Sequence, residues 1–535
     1  MTTSFVIPGV SRRVFLGTAA AAAGSTMLPV RAAPAKAKYT RWNATSPQGM
    51  AMLASYAVAI KRMLELKPDH PHNWFRNAFV HAMDCPHGNW WFFTWHRPFV
   101  GYFEQTVRDL SGNKDFAFPY WDWTQTPRIP AQMFDGVLDP SYPAYNPYIA
   151  NFDTFFKYMN PALEAYWKGL SSDQLGQLNT RGMPTLDSLW QQVKDYQQSA
   201  MFATTPNARY LTKTNPSLDE KTKVAVSLNT VLSGLKPNSF ATFNSVQTPS
   251  HNTAPTSGDV FAILEGQPHN KTHNNIGGVG HIPNKDYLKF GYMADNLSPV
   301  DPVFFLHHAN MDRLWDVWTR KQQAAGLPYL PTGDEWTTFA KEPFLFYIDA
   351  NGNPALRKTA GESVEIAGFD YDYQPGSGEG IIHAPPVAAV AAAAPIVGAV
   401  SNGEGAVTVP AGLLAAVRNH TLVASITIPH PMSGGEPREY DVLVNAPPGT
   451  QAVSASSPYY VATISFFGFM PGMMSNDVTF QVPINKLPPA AKGKAAGDLV
   501  FTVVPSTAVP NVRATPNGVG AAAPLLRAVS VSVQP

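Results

Sequence analysis

The spacing of hydrophobic residues changes once along this chain and divides it into two regions. Up to about residue 374, apolar residues at helical spacing predict helices over 50–66, 96–110 and 301–323. Residues 130–255 are rich in Pro, Asn and Thr and have weak periodicity, so we expect long loops with short helices there. The first region is therefore expected to be mainly α.

After residue 400 the pattern changes to short alternating runs separated by Gly, Pro and Asn, which is typical of β-strands. The predicted strands are 422–428, 440–444, 459–466, 478–482, 499–504 and 529–533. The stretch 375–400 has the Ala- and Pro-rich composition of a linker. We therefore predict a helical domain over 38–374 and a C-terminal β-sandwich over 401–535.

The first 33 residues have the features of an export signal. Arg12-Arg13 followed by Val14-Phe15-Leu16 fits a twin-arginine motif, and an Ala-rich run with a small-residue cleavage site follows it. We expect residues 1–33 to be a signal peptide for the twin-arginine export machinery, which would make the mature protein periplasmic or secreted. The apolar run is too short to cross a bilayer as a helix and no later run is long enough, so no membrane span is expected.

Composition narrows the partners further. A chain of 535 residues exceeds what one hydrophobic core normally supports, which favours two or more domains. The formal net charge is +1 and the basic residues form no patch or stripe, so no nucleic-acid partner is expected. The single cysteine, Cys85, excludes an internal disulfide.

Six of the 14 histidines fall into two groups of three, one near the N-terminus and one much later. The groups are His81, His87 and His96, and His269, His273 and His308. Three neutral imidazoles can hold one metal ion and leave an open position, and imidazole suits copper, zinc, iron and nickel. Two adjacent redox-active ions can exchange two electrons with dioxygen, whereas zinc has no redox chemistry. The groups predict a redox-active metal pair, with a structural zinc protein as the alternative.

The residues around these histidines resemble the copper motifs of type-3 copper proteins, the family of tyrosinases, catechol oxidases and haemocyanins. The second group lies in His269-Asn-Lys-Thr-His273 and in the run Asp-Pro-Val-Phe-Phe-Leu-His-His-Ala-Asn-Met-Asp-Arg-Leu-Trp at 301–315. His87 and His96 enclose eight residues and precede Arg-Pro-Phe, as in the first copper motif. The run Phe-Pro-Tyr-Trp-Asp-Trp at 118–123 also matches a family segment. The resemblance covers roughly 38–374.

This resemblance implies a four-helix-bundle dinuclear copper domain with two copper ions as cofactor and dioxygen as co-substrate. His81, His87 and His96 would bind the first copper, and His269, His273 and His308 the second. His307 competes with His308, but adjacent helical residues point about 100° apart, so only one is expected to reach the metal. The family assigns the second of the pair, and we expect His307 to pack beside the site.

Cys85, two residues before His87, resembles the Cys-X-His of fungal tyrosinases and molluscan haemocyanins. The resemblance implies a thioether bond between the sulfur and the His87 ring, which would hold that side of the site rigid. The alternative is a buried free thiol, which is a common fate of a single cysteine.

Glu265 and Asn270 flank His269 and are the candidate catalytic residues. In related polyphenol oxidases, residues so placed are thought to hold a water that deprotonates the phenol, whose pKa lies near 10. The alternative is a purely structural role. Asp312 and Arg313 are expected either to support the copper ligands or to form a structural ion pair. Tyr371 and Tyr373 resemble the Tyr-X-Tyr boundary of the family and are expected to pack near Arg41.

The C-terminal region contains an apolar run at 466–474. Related C-terminal domains lay one residue over the copper site, and Phe467, Phe469 and Met470 are the candidates here. The alternative is a core strand with a packed hairpin.

Taken together, these features predict an enzyme that hydroxylates monophenols and oxidises o-diphenols to o-quinones, with small phenols as substrates. The alternatives are a catechol or o-aminophenol oxidase without hydroxylation, and an oxygen carrier of the haemocyanin type.

Overall fold

The computed structural model describes residues 37–195, 208–256, 258–279, 291–384, 394–411, 413, 421–431, 438–451, 453–468, 476–487, 489, 495, 497–506 and 525–534. Contacts group Lys38–Pro535 into one compact unit. The predicted signal peptide, residues 1–33, lies outside the described residues, and so do two of the covering candidates, Phe469 and Met470.

Helices dominate the described structure before residue 342. They are α1 Pro47–Glu65, α2 Trp74–Asp84, α3 Phe92–Ser111, α4 Asn146–Ile149, α5 Phe152–Lys168, α6 Ser172–Thr180, α7 Leu186–Asp195, α8 Glu220–Ala225, α9 Leu228–Leu235, α10 Phe240–Phe243, α11 Asn270–Gly277, α12 Val303–Ala324 and α13 Gly333–Lys341. The three helices predicted from periodicity are confirmed as α1, α3 and α12. Within the described ranges, no helix has both the length and the hydropathy needed to cross a bilayer.

The expectation of only short helices over 130–255 is wrong for α5, which has 17 residues. Its buried residues Phe155, Met159, Ala162 and Leu163 do follow helical spacing. Pro161 lies inside the helix, and proline ordinarily ends helices because it lacks the backbone N–H. The local composition therefore concealed the period.

Most of the strands lie after residue 395. They are β1 Tyr39–Arg41, β2 Val260–Phe261, β3 Tyr371–Tyr373, β4 Ile396–Val397, β5 Ala399–Ser401, β6 Glu404–Thr408, β7 Thr421–Pro429, β8 Glu439–Val444, β9 Tyr460–Ser465, β10 Asp477–Ile484, β11 Asp498–Pro505 and β12 Ala528–Gln534. All six strands predicted from alternation are confirmed, as β7 to β12. The short strand β4 and most of β5 lie within the stretch predicted as a linker.

The C-terminal strands form two five-stranded sheets, in the orders β2-β10-β7-β12-β4 and β5-β6-β11-β8-β9. Inward side chains of both sheets belong to one apolar cluster, which includes Ile426 of β7 and Val442 of β8. The strand β2 comes from the helical region and pairs in parallel with β10. A helical region followed by a region of strands is thus confirmed, while the narrower assignments, a four-helix bundle and a β-sandwich, stay predictions.

A buried carboxylate ties the beginning and the end of the helical region together. Asp312 on α12 pairs with Arg97 on α3 at 2.6 Å and with Arg41 on β1 at 3.2 Å. The hydroxyls of Tyr371 and Tyr373 on β3 also donate to this carboxylate. Arg41 lies 3.6 Å from the ring centre of Tyr371, which confirms the expected packing of these tyrosines near Arg41. These partners make Asp312 a structural residue.

We expect Asp312→Ala to lower the free energy of unfolding by about 3–5 kcal/mol, because two buried guanidinium groups lose the carboxylate that they share and Arg41 keeps only Glu104 as an ion-pair partner. Urea unfolding would measure the loss. Asp109→Ala is the control, since Asp109 pairs with Lys114 on the surface and its loss should cost about 1 kcal/mol or less. Equal losses in the two variants would contradict the prediction.

Candidate metal centre

The two histidine groups of the sequence come together in the interior. His81 lies on α2, His96 on α3 and His87 in the loop between them. Gly88 has a φ of +74°, and a Cβ there would lie 2.5 Å from the Phe261 ring, so the backbone beside His87 requires glycine. One nitrogen from each of the rings of His81, His87 and His96 and the sulfur of Cys85 all lie within 4.8 Å of one another.

The second group is carried by two elements. His269 ends a π-helical turn, Glu265–His269, which contains Pro268 and runs directly into α11 with His273. His307 and His308 lie on α12, and the four imidazoles again approach within 4.8 Å. The groups adjoin each other, since the rings of His96 and His308 stack at a centroid distance of 4.1 Å.

Backbone carbonyls orient three of these rings. The Nδ1 atoms of His81, His96 and His273 each lie 2.7 Å from a backbone oxygen, of Asn296, Phe92 and Met293 respectively. A carbonyl only accepts, so Nδ1 carries the proton and Nε2 keeps its lone pair. His269 is oriented in the same sense by the Asn270 side-chain oxygen at 2.8 Å.

Several ring nitrogens of the two groups have no protein partner. Among the described residues, no hydrogen bond reaches Nε2 of His81, His269 or His307, or Nδ1 of His87 or His308. A buried polar atom without a partner is costly, and a metal ion removes that cost. Burial lowers the pKa of His96 to about 3, so its ring is neutral and can donate a lone pair. This donor set fits two ions that prefer imidazole.

His307 differs from His308 in its hydrogen bond. The indole N–H of Trp123 donates to Nδ1 of His307 at 3.2 Å. A neutral ring that accepts at Nδ1 carries its proton on Nε2, and it then has no lone pair left for a metal. In contrast, Nε2 of His308 lies 3.1 Å from Nε2 of His273, so these two nitrogens converge on one point.

Cys85 is fully buried between two imidazoles. Its sulfur lies 3.6 Å from Nε2 of His87 and 3.2 Å from Nε2 of His96. Burial raises the pKa of the Cys85 thiol well above its ordinary value. The sulfur therefore contacts both rings and lies closer to His96 than to His87, so the thioether to His87 stays a prediction.

Glu265 and Asn270 lie beside the second group but are engaged by protein atoms. The Glu265 carboxylate accepts from the Gly88 N–H at 2.6 Å and from the Ser245 hydroxyl at 2.5 Å. Burial raises the pKa of Glu265 to about 8, although these two hydrogen bonds oppose the shift. The Asn270 amide N–H donates to the Ser465 carbonyl at 2.9 Å. Both side chains therefore help to position the loops that carry His87 and His269.

One aromatic residue of the C-terminal region, Phe467, contacts rings of both histidine groups. The ring of Phe467 stacks on His273 at a centroid distance of 4.0 Å and meets His87 edge-on at 5.1 Å. Gly468 has a φ of +71°, and a Cβ there would lie 2.2 Å from the His87 ring. Phe467 was among the residues predicted from the sequence, whereas Gly468 was not, because its requirement for glycine depends on a contact with a residue distant in the chain.

Two adjacent histidine-rich clusters of this kind define a dinuclear metal protein. Residues 58–321 match the family described as the common central domain of tyrosinase. The chain is 24% identical to a chloroplastic polyphenol oxidase of Spinacia oleracea, over 60% of this chain and 45% of that protein. It is 26% identical to a tyrosinase of Hahella sp. (strain CCB-MM4), over 54% of this chain and 47% of that protein. The chain thus spans about half the length of these curated relatives.

Solved structures extend the likeness to the whole fold. A latent aurone synthase (polyphenol oxidase) is similar with a TM-score of 0.55 at 19% identity, covering 94% of this chain and 90% of that one. The structure of a latent apple tyrosinase gives a TM-score of 0.50 at 19% identity, with coverages of 94% and 97%. The chain belongs to the type-3 copper protein family, and its cofactor is a pair of copper ions.

Proposed function

We propose that this protein is a copper enzyme that uses dioxygen to hydroxylate monophenols at the ortho position and to oxidise o-diphenols to o-quinones. The observation that carries the proposal is the pair of adjoining, buried histidine clusters, in each of which the ligand atoms lie within 4.8 Å of one another and several ring nitrogens have no protein partner. The copper pair supplies the two-electron exchange with dioxygen. The chain's own residues orient the imidazoles, exclude bulk water and accept the proton that the phenol loses.

The ligand assignment follows from the free lone pairs. We assign His81, His87 and His96 to the first copper, and the second copper to His269, His273 and His308. The indole N–H on His307 supports the choice of His308, because it uses the one lone pair of a neutral His307 ring.

Glu265 and Asn270 are assigned to the phenol proton. Burial raises the pKa of Glu265 to about 8, which is closer to the pKa of a phenol than the pKa of an exposed carboxylate is. Together with the Asn270 amide it would hold the water that takes this proton. The bonds that both residues make to Ser245, Gly88 and Ser465 favour the second candidate function, an o-diphenol or o-aminophenol oxidase without hydroxylation.

The C-terminal region is assigned a covering role through Phe467. Its ring occupies the space over His273 and His87 and is only 3% exposed, so a phenol could not stack there while the ring is in place. The enzyme would be latent until this segment moves. Export through the twin-arginine route remains part of the proposal, since it would carry a folded protein with its copper already bound.

The activity is tested with copper-loaded protein opened by mild detergent, assayed on tyrosine and L-DOPA. We expect both to be converted, and Glu265→Gln to reduce tyrosine hydroxylation roughly 100-fold or more while L-DOPA oxidation falls less. Glu164→Gln, an exposed change on α5, is the control. Unchanged tyrosine turnover in Glu265→Gln would remove its assigned role. Oxidation of L-DOPA alone would indicate the second candidate function, and reversible oxygenation without product would indicate a carrier.

The thioether is tested by intact-mass measurement after copper loading in air. A bond between the Cys85 sulfur and a His87 ring carbon removes one hydrogen from each, so the mass is expected to fall by two hydrogens. Cys85→Ser should show no such loss. A full free-thiol titre in the copper-loaded protein would contradict the bond.

The covering role is tested with Phe467→Ala in the full chain, without protease or detergent. We expect L-DOPA oxidation to rise about tenfold or more, because the ring that blocks His273 is removed. Tyr142→Ala removes a 44% exposed aromatic residue and serves as the control. Equal activity in Phe467→Ala and the unaltered protein would show that the ring is not the barrier.

A further inference from the structure

The segment Val260–Gly277 carries Glu265, His269 and His273, and it is held along its length by C-terminal strands. Its first two residues form β2, which pairs with β10 so that Val260 lies opposite Thr479. The ring of Phe261 stacks on Phe480 at a centroid distance of 4.8 Å and belongs to the apolar cluster of the strand region. The start of the segment is thus part of the C-terminal sheet.

The helix α11 at the other end of the segment is bonded to β8 and β9. The side-chain amide of Asn270 donates to the Ser465 carbonyl at 2.9 Å, and that of Asn274 donates to the Phe466 carbonyl at 3.2 Å. These two residues are four apart, so they line one face of the helix. The neighbouring face, with His269 and His273, is turned to the metal centre.

A buried ion pair fixes the same helix to β8. The ammonium of Lys271 lies 2.6 Å from the Glu439 carboxylate, and the two side chains are 1% and 4% exposed. The Ser465 hydroxyl donates to the other oxygen of this carboxylate at 3.2 Å. Lys271 also lies 3.8 Å from Asp219, a longer contact within the helical region. Glu439 is therefore the carboxylate closest to Lys271, which lies between His269 and His273 in the sequence.

The helix cannot supply this order by itself. It has eight residues, well below the length at which an isolated helix is stable in water. Without the C-terminal strands, a buried ammonium would lose its nearest carboxylate and two buried amides would lose their acceptors. The first histidine group depends less on these strands, because His81 and His96 lie on α2 and α3, which pack within the core of the helical region.

We propose that the C-terminal strands are a permanent structural part of the second copper site, with Glu439 as a positioning residue for His269 and His273. The proposal rests on the ligand assignment made above. It also limits how the site opens: Phe467 must move aside while β8 and β9 stay bound to α11.

The test compares Glu439→Ala with Asp477→Asn, which alters a half-exposed ion pair elsewhere in the strand region. In metal-free protein, we expect Glu439→Ala to lower the hydrogen-exchange protection of the 270–277 amides about tenfold or more, with the protection of α2 and α3 unchanged.

Copper-loaded protein is then challenged with a Cu(I) chelator. The Glu439→Ala variant should retain one copper per chain, whereas the Asp477→Asn control should retain two. Unchanged protection with two coppers retained would overturn the proposal.

A second variant covers the case in which Glu439→Ala fails to fold. Lys271→Met combined with Glu439→Leu replaces the buried ion pair by apolar side chains and should restore the hydrogen-exchange protection and the second copper.

A protease site inserted between 384 and 394, in a chain with no other substitution, tests the whole C-terminal region. The two fragments are expected to co-elute with two coppers. A separated N-terminal fragment that keeps both coppers would overturn the proposal, and neither experiment depends on turnover of a phenol.

Discussion

The hydrogen bond from an imidazole Nδ1 to a backbone carbonyl is the interaction on which the metal centre depends. It sets the tautomer, and thereby decides which nitrogen faces inward. One short segment supplies two of these carbonyls, since Met293 accepts from His273 and Asn296 accepts from His81. Each belongs to a different histidine group. The backbone between residues 293 and 296 therefore holds the two groups in a fixed relation to each other.

This arrangement conflicts with stability unless a metal is bound. The imidazoles are walled by aromatic rings, among them Phe92 and Phe304, which lie 4.7 Å from His96 and 4.1 Å from His308 between ring centres. Such surroundings keep the rings neutral, which copper binding requires, but they leave several ring nitrogens without protein partners. Copper binding then contributes to the stability of the fold, and the rigid helices α3 and α12 hold the geometry in readiness for it.

Periodicity predicted the elements whose burial is decided locally. The helices α1, α3 and α12 and the strands β7 to β12 follow from apolar spacing. Apart from α5, several features that the sequence did not predict depend on distant partners. Strand β2 has two residues and exists because β10 pairs with it, and the partner of Lys271 lies 168 residues away. Gly468 likewise must be a glycine only because its backbone lies against the His87 ring.

The proposed cover of the site and the carbonyls that hold α11 lie close together, within residues 465–467, and this limits how the site can open. A single residue, Phe466, separates Ser465, whose carbonyl accepts from Asn270, from Phe467, whose ring stacks on His273. Between them, the Phe466 ring is packed 5.2 Å from Phe480, and its carbonyl accepts from Asn274. Phe466 therefore cannot move without disturbing both the core and α11. If Phe467 is the cover, the smallest change that would uncover the centre is rotation of its side chain, with the backbone adjusting at Gly468, whose φ is positive.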